Sequence, residues 1–411
     1  MKGRRPMRST PILVTLLATA LGLGGCKSQS PTGLEGSGDG DPSSNGDPSG
    51  NGTIDPGSVV FAPATVDALS ARQVDYGEAL RTASLKLVQA LPTLTQIKHV
   101  SGAADAAGAK AAYEEELDGM FADPRFQERM IKWWQDVMRL GGPAQNGNPS
   151  RDTAPTFAAR IVAEEQPFSE LFTAATNTCP TYDGKAHAFV DGDCQNGVPA
   201  VSGVLTDPGV MYQFYGDMAF RRVRWVQEVF VCTKFPAEYA VKPVTMGSGD
   251  YTSPWPFSSV ATAPINFQDT SSVICANCHT TINHLAPLFA NFDDKGQYKS
   301  TIQVMTPTAP KPVPTQLSHW LQSGETLHWR NGVPAADMVA LGQAVALDPD
   351  VADCLAARMW NFAMSKEDIV TDLATVPASV LAPTLSTFQK SGQNVKKTLR
   401  ALFTGDDFIK Y

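Results

Sequence analysis

The sequence predicts a mainly α protein, with a helical N-terminal domain, a second helical region and long irregular connectors. Apolar residues recur at intervals of three and four along several segments, which is the period of an amphipathic helix. Segments that alternate between apolar and polar residues, as half-buried strands do, are few. Proline and glycine are concentrated at 196–209, 242–267 and 306–315, where they predict connectors.

The clearest helical stretch is "AAYEEELDGMFADPRFQERMIKWWQDVMRLGG", which predicts two consecutive helices. Asp123 is expected to cap the second helix, which starts at Pro124 and stops at Gly141. The helical spacing of five apolar residues predicts a stripe that faces the core. They are Phe126, Met130, Trp133, Trp134 and Val137. Four more amphipathic helices are predicted at "FRRVRWVQEVFVC", "VADCLAARMWNFAM", "TLSTFQKSG" and "NVKKTLRALFTG".

The N-terminus has the layout of an export signal. Basic "MKGRRPMRST" precedes apolar "PILVTLLATALGL", and small residues lead to Cys26. The apolar run is shorter than the ~20 residues that a spanning helix needs. "LGGC" resembles the bacterial lipobox, which predicts that Cys26 carries lipid, with an ordinary signal peptide as the alternative. Lys27 follows where an Asp would suggest inner-membrane retention, so we expect a lipid anchor in the outer membrane of a bacterial cell envelope, facing the periplasm or the surface.

The segment that follows, up to about Ser58, is rich in Gly, Ser, Pro, Asp and Asn. Such a composition cannot bury a core and predicts a flexible linker with a reach of about 30 Å. The whole chain carries 41 acidic against 33 basic residues. A nucleic-acid partner is therefore not expected, because phosphate binding needs concentrated positive charge.

The chain has seven cysteines. If Cys26 is lipidated and Cys275 and Cys278 belong to one motif, four remain, and an even remainder in an exported protein suggests disulfides. Local pairing is predicted for Cys179–Cys194, which close a polar loop, and this leaves Cys232–Cys354. Free buried thiols are the alternative.

The most specific motif is "CANCH", in which Cys275, Cys278 and His279 have the spacing that attaches c-type haem. The two thiols add across the porphyrin vinyl groups, and the adjacent histidine binds the iron from below. A zinc site would need two further ligands at matching spacing, and a thioredoxin-like pair would need a strand-turn-helix frame. Neither is evident, so the sequence predicts one covalent haem c.

The second axial ligand is less well defined by sequence. Met305 lies downstream beside a proline, a common cytochrome arrangement, and is the predicted distal ligand. The alternatives are Met338, Met359 and Met364, for which a core role is favoured, and His319 or His328. His284 follows His279 too closely to reach the opposite haem face easily.

The stretch "CANCHTTINHLAPLFANFDDKGQYK" resembles the planctomycete-cytochrome superfamily, a group of exported multidomain proteins without a settled activity. The match is carried by Cys275, Cys278, His279, Ile282, Phe292, Asp293, Gly296 and Tyr298. Looser resemblance covers most of 105–411, and it places Cys232 and Cys354 at family cysteines, which supports their pairing. Two pairs depart from the family: Asn283 and His284 replace Asp-Pro, and Ala290 and Asn291 replace an acidic position.

These observations predict a lipid-anchored monohaem c-type cytochrome that transfers single electrons to a redox partner with a basic docking face. It is expected to be an electron carrier rather than a catalyst. The alternatives are a peroxidase- or oxidase-type haem enzyme, with His284, His319 or Arg330 as the polar distal group, and a surface binding module with structural haem. No other enzyme motif is evident.

The expected organisation follows the chain in six segments. They are a signal peptide at 1–25, the lipidated cysteine and linker at 26–58, a helical domain at 59–175, the disulfide loop with a connecting helical segment at 176–265, the haem c-binding region at 266–345, and a C-terminal helical region at 346–411 that packs on the haem region.

Overall fold

The computed structural model describes residues 70–216, 218–234, 244–245, 252–253, 267–268, 270, 273–305, 311–368, 370 and 376–411. The side chains of 244–245, 252–253 and 273–277 lie outside this description. The predicted signal peptide, Cys26 and the linker also lie outside the described residues.

The described part of the chain is mainly helical, as the periodicity of the sequence predicts. Its α-helices are α1 (Tyr76–Leu87), α2 (Leu94–Ser101), α3 (Ala106–Ala122), α4 (Pro124–Met138), α5 (Thr153–Ala163), α6 (Glu170–Thr173), α7 (Pro208–Gln213), α8 (Phe220–Phe230), α9 (Val273–Phe289), α10 (Met338–Leu347), α11 (Pro349–Ala363), α12 (Ala378–Lys390), α13 (Val395–Thr404) and α14 (Asp406–Ile409). Short 3₁₀ helices lie at Gly203–Thr206, Leu317–His319 and Arg330–Gly332.

The described strands are short and form three antiparallel pairs. They are β1 (Thr181–Asp183) with β2 (Ala188–Val190), β3 (Val244–Thr245) with β4 (Thr252–Ser253), and β5 (Gln303–Val304) with β6 (Val313–Pro314). Each pair lies in a segment that connects two helices, and the core is formed mainly by helices.

Helix α4 shows how local chemistry sets the boundaries. The carboxylate of Asp123 accepts the backbone N–H of Arg125, and Pro124 occupies the first turn, so the predicted start is confirmed. The helix ends at Met138, three residues before the predicted stop. Arg139 adopts the left-handed conformation, and Leu140 N–H donates to the carbonyl of Gln135, which closes the helix.

One continuous hydrophobic core joins helices from α1 to α14. The predicted stripe of α4 is buried within it, which confirms its role in packing. The two ends of the described chain meet, since Gln73 and Tyr411 exchange backbone hydrogen bonds of 3.0 and 2.9 Å. Helices from all four predicted segments between 59 and 411 contribute to this core.

Two disulfides connect distant or looped parts of the chain. Cys179 and Cys194, with Cα atoms 4.9 Å apart, close the β1–β2 hairpin. Cys232 and Cys354, with Cα atoms 5.4 Å apart, join the second residue after α8 to α11 across 122 positions of sequence.

Candidate haem site

Helix α9 carries the Cys-x-x-Cys-His motif in its first two turns. Cys275, Cys278 and His279 occupy positions i, i+3 and i+4, which lie on one face of a helix. The side chain of Cys275 is outside the described residues. Cys278 is half-buried and packs against the main hydrophobic core. The helix therefore places the two cysteine positions one turn apart, beside the histidine.

The His279 ring lies in an aromatic environment. Phe220, the first residue of α8, contacts it edge-on with ring centroids 5.0 Å apart. Phe267 stacks on it at 5.3 Å. The two phenyl rings come from different parts of the chain and hold the imidazole in apolar surroundings.

Asn283, one turn along α9, determines which nitrogen of His279 carries the proton. The Asn283 amide N–H₂ donates to the carbonyl of Phe267 at 3.1 Å, which directs its oxygen towards the imidazole. Nδ1 of His279 lies 2.9 Å from that oxygen, and it must be the donor because an amide oxygen only accepts. In the neutral ring, Nε2 then holds the lone pair that can bind iron.

Burial lowers the pKa of His279 below its ordinary value, while the hydrogen bond with Asn283 acts in the opposite direction. Because burial dominates, the imidazole is neutral at pH 7, which is the form that binds a metal. Haem attachment requires two cysteines one turn apart, a neutral histidine next to them and apolar surroundings. The described residues fit these requirements.

Arg222 of α8 secures the C-terminal end of the motif helix. Its buried guanidinium donates to the carbonyl of Phe289, the last residue of α9, at 2.7 Å, and to that of Phe292 at 2.9 Å. It also donates to the carbonyls of Met211 and Asp293. Carbonyls at a helix end have no intrahelical partner, and the arginine supplies a charged donor to them. Burial lowers the pKa of Arg222 to about 10, and the side chain stays charged at pH 7.

The turn after α9 gives structural roles to four further residues of the motif region. Asp293 accepts the backbone N–H groups of Lys295 and Gln297, each at 2.9 Å. Gly296 has a φ of +69°, and a Cβ there would lie 2.1 Å from the carbonyl oxygen of Pro208. Phe292 and Tyr298 form an isolated bridge across this turn. These residues shape the backbone beside the motif helix.

His284 stacks on His328, with ring centroids 4.0 Å apart. Its Nδ1 lies 2.8 Å from the carbonyl oxygen of Thr326, and Nδ1 of His328 lies 2.7 Å from that of Trp329. Since carbonyls only accept, both rings donate through Nδ1. The sequence indicated that His284 departs from the family pattern, and the structure identifies His328 as its neighbour.

The predicted and alternative distal methionines have different environments. Met305 is 44% exposed and follows β5, and residues 306–310 lie outside the described part. Met338 and Met359 are buried in the core, and Met364 packs against it. The core role favoured for these three is therefore what the structure shows.

Two other polar residues considered for the distal side, His319 and Arg330, also have partners within the protein. His319 is half-buried, and its Nδ1 accepts the backbone N–H of Gln316 at 3.3 Å. Arg330 forms ion pairs with Asp348 and Asp350, at 3.2 and 2.5 Å.

A cavity of about 440 Å³ lies at the other end of the motif helix. Pro287 and Leu288 of α9, Tyr298 and Trp320 form part of its wall. Neither Cys278 nor His279 lines it, so we do not assign this cavity to the haem.

The partners of His279 could not be recognised as such from sequence. Asn283 was noted only as a departure from the family, although its position four residues after His279 on a helix is a usable signal. Phe220 and Phe267 lie 59 and 12 residues before the histidine in sequence, and no local pattern connects them to it.

The chain matches no protein-family model, no curated protein and no solved structure. The resemblance to the planctomycete cytochromes therefore rests on the motif residues and on the looser sequence similarity over 105–411. Within the described residues, no helix is both long and apolar enough to cross a membrane.

Proposed function

We propose that this chain is a lipid-anchored monohaem c-type cytochrome that transfers single electrons in a bacterial cell envelope. Cys275 and Cys278 would hold the haem as thioethers, and His279 would be the proximal ligand. The observation that carries this proposal is the orientation of His279 by Asn283, which leaves Nε2 available in a neutral imidazole. When bound, haem c supplies an iron that gains and loses one electron.

The protein residues around the motif have separable roles in this proposal. Asn283 fixes the ring orientation of His279 and makes it a more basic ligand. Phe220 and Phe267 exclude water from the ring, and a lower local dielectric tunes the redox potential. A haem domain of the cytochrome c type within 266–345 is part of the same proposal.

Met305 remains the proposed distal ligand. Its exposed thioether is not committed to core packing, unlike those of Met338 and Met359. Met ligation would place the redox potential above that of a site with two histidines. Replacing Met305 with alanine would then lower the midpoint potential and open the sixth position to carbon monoxide.

The redox partner is proposed to have a basic docking face, because the chain has a net charge of −8. Complementary charge raises the association rate, and salt screens this effect. Electron exchange with a basic partner should therefore slow as ionic strength rises, whereas exchange with an acidic partner should not.

Visible spectra of the purified protein test the proposed haem and its ligation. The protein is expressed with a haem-maturation system, oxidised and reduced, and exposed to carbon monoxide. His279→Ala should lose the low-spin spectrum, whereas His284→Ala, a change five positions along the same helix, should keep it. If the reduced protein does not bind carbon monoxide, the result supports a role in electron transfer. Rapid carbon monoxide binding by the wild type would instead favour a haem enzyme with an open sixth position.

The lipid anchor is tested separately through Cys26. Wild-type protein should be labelled by a fatty acid and recovered with outer membranes, and Cys26→Ala should be neither labelled nor processed. Labelling that survives the substitution would contradict the proposed attachment site.

A further inference from the structure

The disulfide between Cys179 and Cys194 lies against a buried carboxylate. Asp207 is 0% exposed, and its Oδ2 lies 3.5 Å from Cys179 Sγ. The hydroxyl of Thr178 lies 3.4 Å from Cys194 Sγ. Each sulfur therefore has a polar neighbour, and the neighbour of Cys179 can hold a proton.

The two cysteine residues differ in exposure. Cys179 is 9% exposed, while Cys194 is half-buried between the exposed residues Asp193 and Gln195. An external thiolate would reach Cys194 first, and the sulfur that leaves would be the buried one beside Asp207. Exchange at a disulfide depends on which sulfur is attacked and on how well the other one leaves.

Asp207 caps α7 and contacts no charged partner in the described part of the chain. Its carboxylate accepts the backbone N–H of Val210 at 2.9 Å, and the Gly209 N–H and the Thr153 hydroxyl also donate to it. Burial outweighs these hydrogen bonds and raises its pKa to about 6. The carboxyl group can therefore release or take up a proton near neutral pH.

We propose that Cys179–Cys194 is a thiol–disulfide exchange site at which Asp207 transfers the proton, and that its co-reactant is a dithiol. A thiolate of the dithiol attacks Cys194 Sγ, the S–S bond breaks, and the electron pair goes to Cys179 Sγ, which takes the proton of Asp207. The second thiol of the co-reactant loses its proton to solvent and attacks the mixed disulfide, and Cys194 leaves as a thiolate. Cys194 and Asp207 then each take up a proton from solvent. The co-reactant is oxidised to its disulfide, and the protein gains two thiols.

Other contacts keep the hairpin in place when the disulfide opens. The Cys179 N–H donates to the carbonyl of Gly192 at 2.9 Å, and Arg160 pairs with Asp191 at 2.6 Å. Asn196 donates to the carbonyl of Thr206 at 2.8 Å. The reduced loop therefore keeps its two sulfurs close together, which makes the exchange reversible.

The second disulfide of the same chain provides an internal reference. Cys354 is buried, and its Sγ lies 3.7 Å from the backbone carbonyl of Val229 rather than beside a carboxylate. Among the described residues, a carboxyl group that can donate a proton therefore lies beside Cys179, whereas a backbone carbonyl lies beside Cys354.

The proposal is tested on the full chain with dithiothreitol under native conditions from pH 5 to 8. New thiols are alkylated and assigned by peptide mass, and each rate is divided by the thiolate concentration. We expect Cys179–Cys194 to open at least about 10-fold faster than Cys232–Cys354, with a rate that falls as pH rises through about 6. Asp207→Asn should slow opening about 10-fold at pH 5.5 and abolish the pH step, while Asp193→Asn should change neither.

Equal rates at the two disulfides would overturn the proposal, and so would an Asp207→Asn variant with the wild-type rate and pH profile. The amide of that variant can still cap α7, and circular dichroism checks that it folds. The pH profile of the wild-type protein tests the proposal without any substitution. The result does not depend on whether haem is bound.

Discussion

Asn283 connects two groups around the motif with one amide. It donates to the Phe267 carbonyl and accepts from His279, and its own burial keeps water from competing for either bond. A ligand held in this way can bind through only one nitrogen. Asn283 therefore orients the proposed ligand without being a proposed ligand itself.

Replacing Asn283 with alanine should raise the redox potential by tens of millivolts, because His279 becomes a less basic ligand and stabilises ferric iron less. Asn283→Asp should shift the potential the other way, since a carboxylate is a stronger acceptor. Protein-film voltammetry measures both. Two variants with the wild-type potential would show that Asn283 does not act on the haem ligand.

Asp207 should make stability depend on pH in a defined direction. Its pKa is about 6 in the folded protein against 3.8 in the unfolded chain, so the folded state binds more protons between these values. Stability from this group is complete below pH 3.8 and is lost as pH rises to about 6. The loss amounts to about 3 kcal/mol.

Urea denaturation of wild type and Asp207→Asn across pH 4 to 7 measures this contribution. The difference in unfolding free energy between the two proteins should change by about 2.4 kcal/mol over that interval in favour of the variant. Parallel curves would contradict the assigned burial of the carboxyl group.

Individual residues differ in how far sequence predicts them. Cys278 and His279 are recognisable because their chemistry requires a fixed local spacing. The hydrogen bond between Asn283 and Phe267 is not, because Phe267 lies in a connector without periodicity. The stack of His284 on His328 likewise joins positions that are 44 residues apart.

At the scale of elements, α8 and α9 form the unit that presents the motif. Arg222 of α8 binds the carbonyl end of α9, and Phe220 at the start of α8 covers His279. Helix α8 therefore fixes the motif helix at its end and at the histidine. The turn at Gly296 continues this unit and packs tightly against Pro208.

Arg222→Ala should lower the unfolding free energy by more than about 3 kcal/mol, since several buried carbonyls lose their only charged donor. Arg221→Ala, an exposed neighbour on the same helix, should cost less than about 1 kcal/mol. Chemical denaturation compares the two. Equal losses would show that the buried guanidinium is not what holds α9.

Element boundaries follow from sequence where a cap defines them. The start of α4 follows from Asp123 and Pro124, whereas its end depends on the left-handed conformation of Arg139, a residue with no such preference. The paired strands of two residues, such as β5 and β6, are too short to produce a visible alternation.

For the molecule as a whole, contacts distant in sequence close one core. The disulfide Cys232–Cys354 joins α8 to α11, and Gln73 pairs with Tyr411. The mainly helical class could be predicted because apolar residues recur at helical spacing within each helix. The arrangement of the helices could not, since it depends on which apolar faces meet.

Removing Cys232–Cys354 by a double serine substitution should destabilise the chain by about 5 kcal/mol, because the disulfide closes a long loop. The Cys179–Cys194 disulfide closes a loop of only 15 positions, so the same double serine substitution there should cost about 3 kcal/mol of unfolding free energy. Thermal unfolding under oxidising conditions ranks the two. The reverse order would contradict the structural role assigned to the long-range disulfide.

Peptide mass spectrometry tests the central proposal most directly. Protein produced with a haem-maturation system is digested, and the peptide that spans the motif helix is analysed. The account predicts one haem bound to that peptide through both Cys275 and Cys278, and an unmodified peptide when both are serine. A wild-type peptide without haem, from cells that mature a control cytochrome, would contradict it.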